Sequence, residues 1–310
     1  MTVLALFGDR NVVPALHVAI ASTLASWPAA EPLRIHLFHR ELTSNDLALL
    51  DETARMANKP VLFNEAPFDI ARIRHWRSLY GSHMPYGRIF LPQLLPDESE
   101  VLYLDADVIV DLDIRRLYVP CGEHDLARAM PAWDFEHSHD AELAAEVGIG
   151  REEQYFHSGV LVLQLDRWRR ENILGRCLEL GDRFAVRLRS HDQTLLNLVC
   201  HDRIAKIPLD LTSHLYPTKS TDAGYPPESI RNFCGSPKPF DPFGNVLNEH
   251  YDLFKQWLSR TAIADWSPNN VRQLMQFRRN FRLLRPMAST AAKMLLNAVG
   301  RAPAKGSPRR

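Results

Sequence analysis

The sequence predicts an α/β protein with a central mixed, mainly parallel sheet flanked by helices. Short apolar runs of strand length alternate with longer segments of helical pattern along the first two thirds of the chain. The chain has 310 residues, of which 45% are hydrophobic and 24% charged, so it can bury a large core and is neither disordered nor fibrous. In such proteins ligands lie beyond the carboxyl ends of the strands.

The N-terminal elements follow this alternation in order. An apolar run begins at Val3 and stops at Gly8-Asp9, which predicts a buried strand that delivers a loop to the sheet edge. Pro14 suits the first turn of a helix, and Thr43 with Asp46 forms a capping pattern for the next one. The predicted elements are strands at 3–7, 33–39 and 61–63 and helices at about 14–27 and 43–58.

The middle of the chain supplies further strands whose ends carry polar residues. The strand at 101–104 is followed by Asp105-Ala106-Asp107, after which an apolar run resumes at 108–110. A near-continuous apolar strand at 156–165 contains His157-Ser158-Gly159 near its start, and helices are predicted at 166–184 and from His191-Asp192 onward. Residues 208–242 are rich in Pro, Gly, Ser and Thr, which predicts a long loop without long regular elements, of the kind that closes over a site.

The charge distribution separates a body from a tail. The chain has 37 basic and 37 acidic residues, but residues 272–310 carry ten Lys and Arg and no Asp or Glu. An acidic body with a basic tail argues against a nucleic-acid-binding core. Apolar residues recur at near-helical spacing between the tail arginines, namely Val271, Leu274, Phe277, Phe281 and Leu284. We expect an amphipathic helix that ends at Pro286, followed by a second one, either attached to an anionic membrane or packed on the body.

Cysteine usage and hydropathy bear on the compartment. The four cysteines lie far apart without a CxxC pair, and no window approaches 18 consecutive apolar residues. We therefore expect a cytoplasmic protein without a spanning helix, bound peripherally to the inner face of the cell membrane through its tail.

The pair Asp105 and Asp107 is the strongest local indication of chemistry. Two carboxylates at a strand end are hard oxygen ligands, which suit Mg²⁺ or Mn²⁺ held against a diphosphate. An acidic loop without a metal, supported by Asp111 and Asp113 nearby, is the plain alternative. A phosphatase, in which the first aspartate is a nucleophile and the second a general acid, is another.

Six motifs in a fixed order bear on this choice. They are Phe7-Gly8-Asp9-Arg10-Asn11, Tyr86-Gly87-Arg88-Ile89, Leu102-Tyr103-Leu104-Asp105-Ala106-Asp107, Phe156-His157-Ser158-Gly159-Val160-Leu161, His191-Asp192-Gln193-Thr194-Leu195-Leu196-Asn197 and Phe233-Cys234-Gly235-Ser236-Pro237-Lys238-Pro239-Phe240. Together they resemble the retaining hexosyltransferases of glycosyltransferase family 8, particularly bacterial lipopolysaccharide α-galactosyl- and glucosyltransferases. The resemblance implies a nucleotide-sugar-binding fold of the GT-A type over residues 1–265, with residues 266–310 as the basic membrane-association tail.

The resemblance also implies roles for individual residues, carried over one position at a time. The implied donor-binding residues are Phe7, Asp9, Asn11, Arg88, Asp105, His157, Gly235 and Lys238. The implied metal ligands are Asp105, Asp107 and Asn232, for Mn²⁺ with Mg²⁺ as a possible substitute. The implied catalytic residues are Gln193, which faces the anomeric carbon, and the sugar-hydroxyl acceptors Asp192 and Asp134.

Two of these positions depart from the family pattern. His157 stands where the family usually has an Asn that bonds the donor sugar, so the identity of the sugar is open. Asn232 stands where the family usually has a His that completes the metal site, and an amide oxygen is a harder and weaker ligand than an imidazole. His250 is a conceivable substitute ligand.

The residue types indicate a reaction and its mechanism. The leaving diphosphate gains charge as the glycosidic bond breaks, which a divalent cation and a lysine stabilise. Because the Gln193 amide is a poor nucleophile, front-face transfer with retention is favoured over double displacement. The expected function is transfer of galactose or glucose from a UDP-sugar to a saccharide or lipid-linked glycan, in lipopolysaccharide or other surface-glycan synthesis. A UDP-sugar-binding protein with lost or weak transfer is the alternative.

Overall fold

The computed structural model describes residues 2–28, 30–218, 225–270, 275 and 277–300, and within them two sheets. The large sheet has seven strands in the order β3-β2-β1-β4-β7-β6-β8, and the small one has three in the order β5-β10-β9. The strands are β1 (Val3–Asp9), β2 (Leu33–Arg40), β3 (Val61–Pro67), β4 (Val101–Leu104), β5 (Val108–Val110), β6 (Ala127–Asp134), β7 (Gln154–Leu163), β8 (Ile204–Lys206), β9 (Thr212–Leu215) and β10 (Ile230–Phe233).

The helices fill the connections between strands and cover the sheets. They are α1 (Val13–Ala25), α2 (Ser44–Met56), α3 (Leu91–Leu94), α4 (Ala141–Glu146), α5 (Leu165–Arg170), α6 (Ile173–Phe184), α7 (Asp192–Cys200), α8 (Gly244–Leu247), α9 (Tyr251–Leu258) and α10 (Phe277–Gly300). Helix α2 begins with the predicted capping box, in which Asp46 N donates to Thr43 Oγ1 and Thr43 N donates to the Asp46 carboxylate.

The sheet is mixed and mainly parallel, as predicted. Strand β1 pairs in parallel with β2 on one side and β4 on the other, whereas β7 runs antiparallel to both β4 and β6. Every residue of β1 is buried, because helices cover both faces of a parallel sheet. The carboxyl ends of β1 and β4 therefore meet at one edge, with the loops after Asp9 and Leu104 side by side.

Helix α1 holds the two sheets together. Leu16 and Ile20 pack in the core that lies on the large sheet, whereas Val18 packs with Ile109 and Phe233 of the small sheet. The chain crosses from the large sheet to the small one between β4 and β5, so Asp105 and Asp107 lie at the junction of the two sheets.

Several element predictions needed correction. The helix expected at 166–184 is two helices, because Asn172 adopts a left-handed conformation with φ of 50°. The segment 208–242, expected to be a loop, contains the short strands β9 and β10, and β6 and β8 were not predicted. These strands are three to eight residues long, and their pairing partners are distant in sequence, so local pattern alone does not reveal them.

The C-terminal helix α10 also differs from the prediction. It continues through Pro286, which was expected to end it, while Val271 and Leu274 lie outside the described residues. Proline removes only one helical hydrogen bond, and contacts with the body on both sides of it, at Leu283 and Thr290, hold the helix in place. None of the helices in the described parts of the chain has the length and apolarity needed to cross a bilayer.

Candidate active site

A cavity of about 420 Å³ lies at the junction of the two sheets and brings together nearly all of the predicted site residues. Of those residues it is lined by Phe7, Asp9, Asn11, Arg88, Asp105, Asp107, His157, Asp192, Gln193, Asn232, Gly235 and Lys238. They come from the ends of β1 and β4, the start of β7, the first turn of α7 and the segment that begins in β10, except Arg88, which lies in a 3-10 helix at Met84–Phe90. Strand pairing, rather than proximity in sequence, assembles them.

Backbone hydrogen bonds fix the aspartate pair between its neighbours. Asp105 N donates to Gly159 O at 2.8 Å, and Phe233 N donates to Asp107 O at 3.0 Å. Antiparallel pairing sets Asn232 opposite Val108, directly after Asp107. The carboxylates thus lie on a short connection that strands β4 and β5 fix at its two ends, which keeps their positions precise.

Asp105 is held by two donors through one of its oxygens. Its Oδ1 accepts hydrogen bonds from Arg88 Nη2 at 2.7 Å and from the Tyr103 hydroxyl at 2.6 Å. The Arg88 guanidinium also lies over the Tyr103 ring, 4.1 Å from its centre. Charge-assisted bonds of this kind are short and directional, so the orientation of the Asp105 carboxylate is set before any ligand arrives.

Arg88 joins Asp105 to a second carboxylate in the wall of the cavity. Its Nε lies 3.0 Å from Asp192 Oδ2, which also accepts a hydrogen bond from Ser158 Oγ at 3.0 Å. Burial raises the pKa of Asp192 to about 6, although Arg88 opposes the shift. Arg88, assigned to the donor by the resemblance, lines the cavity with its guanidinium bonded to two carboxylates and to the Ser158 carbonyl.

Lys238 forms an ion pair with the second aspartate of the motif. Its Nζ lies 2.7 Å from Asp107 Oδ2 and donates to the Phe233 carbonyl as well. Burial disfavours the charge on Lys238, but Asp107 outweighs this effect and raises the pKa of the lysine. Burial likewise raises the pKa of Asp107, while Lys238 lowers it.

The ligand types at this place fit a hard divalent cation. A Cβ on Gly159 would lie 2.4 Å from Asn232 Nδ2 and 2.9 Å from Asp105 Oδ2, so a glycine leaves room for both side chains beside the aspartate pair. The Lys238 ammonium already provides a positive charge at Asp107. No group of three His, Cys, Asp or Glu side chains arranged to hold a metal occurs in the described residues.

Gln193 and His157 also line the cavity. Gln193 Oε1 accepts a hydrogen bond from Ser158 N at 3.1 Å, which anchors the amide next to Asp192. Burial lowers the pKa of His157 to about 4, with a smaller contribution from His214, so the imidazole is neutral at pH 7. The His157 ring meets the ring of His214 edge-on at 4.1 Å.

Asp134 is not brought to the cavity. It lies at the end of β6, where its carboxylate accepts hydrogen bonds from His137 Nδ1 at 2.6 Å and from His137 N at 3.0 Å. The register between β6 and β7 shifts on both sides of Pro131, and Asp134 pairs with Gln154 at the start of β7. The flanking sequence gave only loose support for a sugar-binding role at this position.

His250 does not lie at the aspartate pair either. It is buried, its Nδ1 bonds the Tyr225 hydroxyl at 2.9 Å, and its Nε2 bonds the Tyr216 carbonyl at 3.1 Å. Both ring nitrogens are thus engaged in holding the loops together, and His250 is not among the residues that line the cavity.

The segment after β10 forms one rim of the cavity. Gly235 has φ of 71°, a conformation that other residues adopt only with strain, and Cys234 N donates to Leu215 O at 2.9 Å. Asp241 Oδ2 accepts a hydrogen bond from Lys238 N at 2.7 Å and closes the turn.

Sequence reasoning missed several residues of the site. Tyr103 and Ser158 lie inside two of the six motifs. Their position next to candidate site residues could have identified them as hydrogen-bonding partners in the site. His214, Tyr216, Arg279 and Leu283 also line the cavity, but they come from β9, the segment after it and α10. No local pattern marks them, because only tertiary packing brings these segments to the aspartate pair.

Comparison with known sequences identifies relatives over most of the chain. The family model of glycosyl transferase family 8 matches residues 3–239. General stress protein A of Bacillus subtilis is 24% identical over 272 residues, which cover 82% of this chain and 91% of that protein. The probable glycosyl transferase Gly of Streptococcus gordonii is 27% identical over 192 residues, or 60% of this chain. The chain spans only about a quarter of the length of this streptococcal relative, since the match covers 25% of it.

Solved structures share the fold. The galactosyltransferase LgtC, in complex with donor and acceptor sugar analogues, superposes with a TM-score of 0.69 at 20% identity. The superposition covers 84% of this chain and 96% of LgtC. The glycosyltransferase GlyE of Streptococcus pneumoniae gives 0.58 at 16% identity, over 83% of this chain and 61% of that one. The architecture is the predicted GT-A type. With a family model that covers most of its length and the motifs of that family gathered around one cavity, the chain belongs to glycosyltransferase family 8.

Proposed function

We propose that the protein transfers a hexose, galactose or glucose, from a UDP-sugar to a saccharide acceptor with retention of configuration. The observation that carries the proposal is the convergence on one cavity of Asp105, Asp107, Lys238 and the Arg88–Asp192 pair. This set offers cation-binding carboxylates, a lysine for a diphosphate and a buried carboxylate for sugar hydroxyls. A phosphatase would need Asp105 as a free nucleophile, whereas its Oδ1 accepts two hydrogen bonds.

The nucleoside end of the donor is assigned to the loop after β1. Asp9 is nearly buried, and its Oδ1 accepts a hydrogen bond from Asn11 N at 2.9 Å, which stiffens the loop. Phe7 stacks on Phe38 with ring centres 4.9 Å apart, and a Cβ on Gly87 would collide with the Phe7 ring. This packing supports a fixed position of the Asp9 and Asn11 side chains for a uracil and ribose.

The diphosphate is assigned to the aspartate pair and the segment after β10. A divalent cation, Mn²⁺ with Mg²⁺ as substitute, would be held by Asp105, Asp107 and Asn232 and would supply positive charge to the leaving diphosphate. Lys238 adds a second positive charge when its ammonium group leaves the ion pair with Asp107 and pairs with a phosphate oxygen instead. The left-handed turn at Gly235 lets the backbone approach the phosphates closely.

Bond breaking occurs next to Gln193 and Asp192. The ionised Asp192 carboxylate favours the positive charge that develops on the sugar, and Gln193 adds the dipole of its amide. Because the Gln193 amide is a poor nucleophile, the acceptor hydroxyl attacks from the side of the leaving group, and a phosphate oxygen takes its proton. His157, a neutral imidazole against His214, bounds the sugar in place of the usual asparagine.

A UDP-sugar-binding protein with weak or lost transfer is the second candidate. The departures at His157 and Asn232 favour it, together with the ion pair that Lys238 already makes with Asp107. Binding without turnover would identify this case.

The acceptor is proposed to be a lipid-linked glycan, in lipopolysaccharide or other surface-glycan synthesis at the inner face of the cell membrane. Helix α10 has exposed apolar side chains at Phe281, Leu284, Leu295 and Leu296. Three basic residues, Arg282, Arg285 and Lys293, lie exposed on the same helix. Apolar groups beside basic ones suit an anionic membrane surface, to which each basic residue contributes about 1 kcal/mol.

The test is a comparison of UDP-sugars in two assays. We expect UDP-galactose or UDP-glucose to raise the unfolding midpoint with Mn²⁺ present and to release UDP when a saccharide acceptor is added. ADP-glucose is the matched control for the base. A raised midpoint without UDP release supports the binding protein, whereas no shift with any UDP-sugar contradicts both candidates.

A further inference from the structure

The C-terminal helix α10 contacts the lysine-bearing segment 234–241 at two places, and a third residue of the helix lines the cavity. Arg279 forms an ion pair with Asp241, Thr290 Oγ1 donates to Ser236 O at 3.1 Å, and Leu283 is 2% exposed and lines the cavity. The helix is thus part of the wall of the cavity as well as a basic surface element. These contacts lie on the side of α10 opposite its exposed apolar residues.

Asp241 connects this helix to Lys238. Its Oδ1 accepts from Arg279, while its Oδ2 accepts from Lys238 N at 2.7 Å, and Asp241 N donates back to Lys238 O at 3.0 Å. The Asp241 side chain is only 3% exposed, and that of Arg279 is 10% exposed. A buried carboxylate depends on its cation, because without it the charge is uncompensated and the group moves or takes up a proton.

The turn that Asp241 closes has little room to adjust. Gly244 N donates to Asp241 O at 2.8 Å, and a Cβ on Gly244 would lie 2.4 Å from both the Lys238 and the Pro239 carbonyl oxygens. A shift of Asp241 is therefore passed to the backbone of Lys238. The lysine side chain, 21% exposed, leaves that backbone towards Asp107 at the aspartate pair.

We propose that Arg279 is a positioning residue that acts through Asp241 to hold Lys238 at the aspartate pair, so that the C-terminal helix sets the affinity of the site for a nucleoside diphosphate. The inference rests on the proposed role of Lys238 in holding the donor diphosphate. It assigns to α10 an effect on the donor site that does not require a membrane.

The first test measures the dissociation constant of UDP for the full-length protein by calorimetry with Mn²⁺ present. We expect Arg279→Ala to weaken UDP binding about 10-fold or more and to raise the KM for the UDP-sugar more than it lowers kcat. Arg279→Lys should restore most of the affinity. Arg285→Ala is the matched control, because it removes one exposed basic residue of the same helix and should leave UDP affinity unchanged.

A double-mutant cycle separates positioning from general destabilisation. In Asp241→Asn the side chain can still accept a hydrogen bond from Lys238 N, but it carries no negative charge for Arg279 to balance. We expect Arg279→Ala to cost little further UDP affinity in the Asp241→Asn protein. Equal losses in the two backgrounds, or a loss in Arg285→Ala as large as in Arg279→Ala, would overturn the inference.

A readout without nucleotide keeps the inference separate from the proposed function. Limited acetylation with acetic anhydride, followed by mass spectrometry, measures the accessibility of the Lys238 amine. We expect faster acetylation of Lys238 in Arg279→Ala than in the native protein and in Arg285→Ala, with Lys59 as internal reference. An unchanged Lys238 rate rejects the positioning role, whereas a native protein that binds no UDP rejects the proposed function alone.

Discussion

Single residues at the site are held by charge pairs that exist before any ligand binds. Arg88 is 3% exposed at its side chain and is shared between Asp105 and Asp192, while Lys238 is paired with Asp107. Removing one member of such a pair leaves the other charge buried, which costs more than the pair itself contributes. Conservative substitutions that keep shape and remove charge are therefore the informative ones.

The first prediction concerns Asp107. We expect Asp107→Asn to reduce kcat/KM by at least about 10²-fold, because it removes one of the two carboxylates proposed to hold the cation at the leaving diphosphate. Steady-state transfer assays with Mn²⁺ measure it, and Asp134→Asn, at a carboxylate outside the cavity, is the control. Near-native turnover of Asp107→Asn with added Mn²⁺ would refute the metal-site assignment.

The second prediction concerns the pH dependence set by Asp192. Its pKa is about 6, so the carboxylate that we propose to favour the cationic sugar becomes protonated as the pH falls below that value. We expect kcat/KM to fall on the acidic side with an apparent pKa near 6 and this limb to disappear in Asp192→Asn. A pH profile of both proteins from pH 5 to 8 measures it, and an identical acidic limb in both contradicts the assignment.

The same shift has a consequence for stability. The folded state holds a proton on Asp192 more tightly than the unfolded chain does, because the pKa is raised from the ordinary 3.8 to about 6. This residue therefore makes the free energy of unfolding decrease as the pH rises from about 4 to about 6, the reverse of the usual contribution of a salt-bridged carboxylate.

The third prediction concerns Gln193. We expect Gln193→Ala to slow transfer about 10²-fold to 10³-fold without abolishing it, because a dipole assists the reaction but forms no bond to the sugar. Rates of UDP release measure it. Mass spectrometry of the protein quenched during turnover tests for a covalent intermediate. A glycosyl adduct on any residue would contradict front-face transfer.

At the level of elements, pairing between strands decides which side chains meet. Strand β10 pairs with β5 on one side and β9 on the other, which places Asn232 opposite Val108 and His214 opposite Asn232. Asp107, which lies between β4 and β5, and Asn232 in β10 are thus close together although they are more than a hundred positions apart in sequence.

The fourth prediction follows from Asn232. We expect Asn232→His to tighten Mn²⁺ binding about 10-fold and to increase the preference for Mn²⁺ over Mg²⁺, because imidazole suits transition metals better than an amide does. Metal titrations by calorimetry, with and without UDP, measure this, and Asn64→His, at an exposed position in β3 outside the cavity, serves as a control. Tight Mn²⁺ binding by the native protein without UDP would contradict the role assigned to Asn232.

At the scale of the whole molecule, α10 has two sides with different environments. Leu283 and Thr290 face the body, whereas Phe281, Leu295 and Leu296 are 76%, 68% and 72% exposed. Packing of the tail on the body and attachment of the tail to a membrane thus involve different sides of the same helix. Membrane attachment remains a prediction.

The fifth prediction tests that attachment. We expect the double variant Leu295→Ser, Leu296→Ser to lose most cosedimentation with vesicles that contain phosphatidylglycerol, because it removes the apolar part of the interface and keeps the charges. Val186→Ser, at a side chain that is 71% exposed elsewhere on the body, is the control. Cosedimentation that is equal in all three proteins would refute the attachment.

Local sequence determined the elements and motifs whose evidence lies within a few residues. The run from Val3 marks a buried strand by its own composition, Thr43 and Asp46 close a capping box three residues apart, and Asp105 and Asp107 follow a strand directly. Family motifs added the partners of the aspartate pair. The structure brings all of the residues assigned from these motifs, except Asp134, to one cavity.

Only the tertiary structure decided the charge partners and the packing of the C-terminal helix. Arg88 is buried between Asp105 and Asp192 because β4 and α7 converge there, and His214 reaches His157 because β9 pairs with β10. The Arg279–Asp241 pair joins residues that are 38 positions apart. Such contacts depend on how distant segments pack, and the basic amphipathic pattern of the tail is the same whether a helix face meets a membrane or a protein.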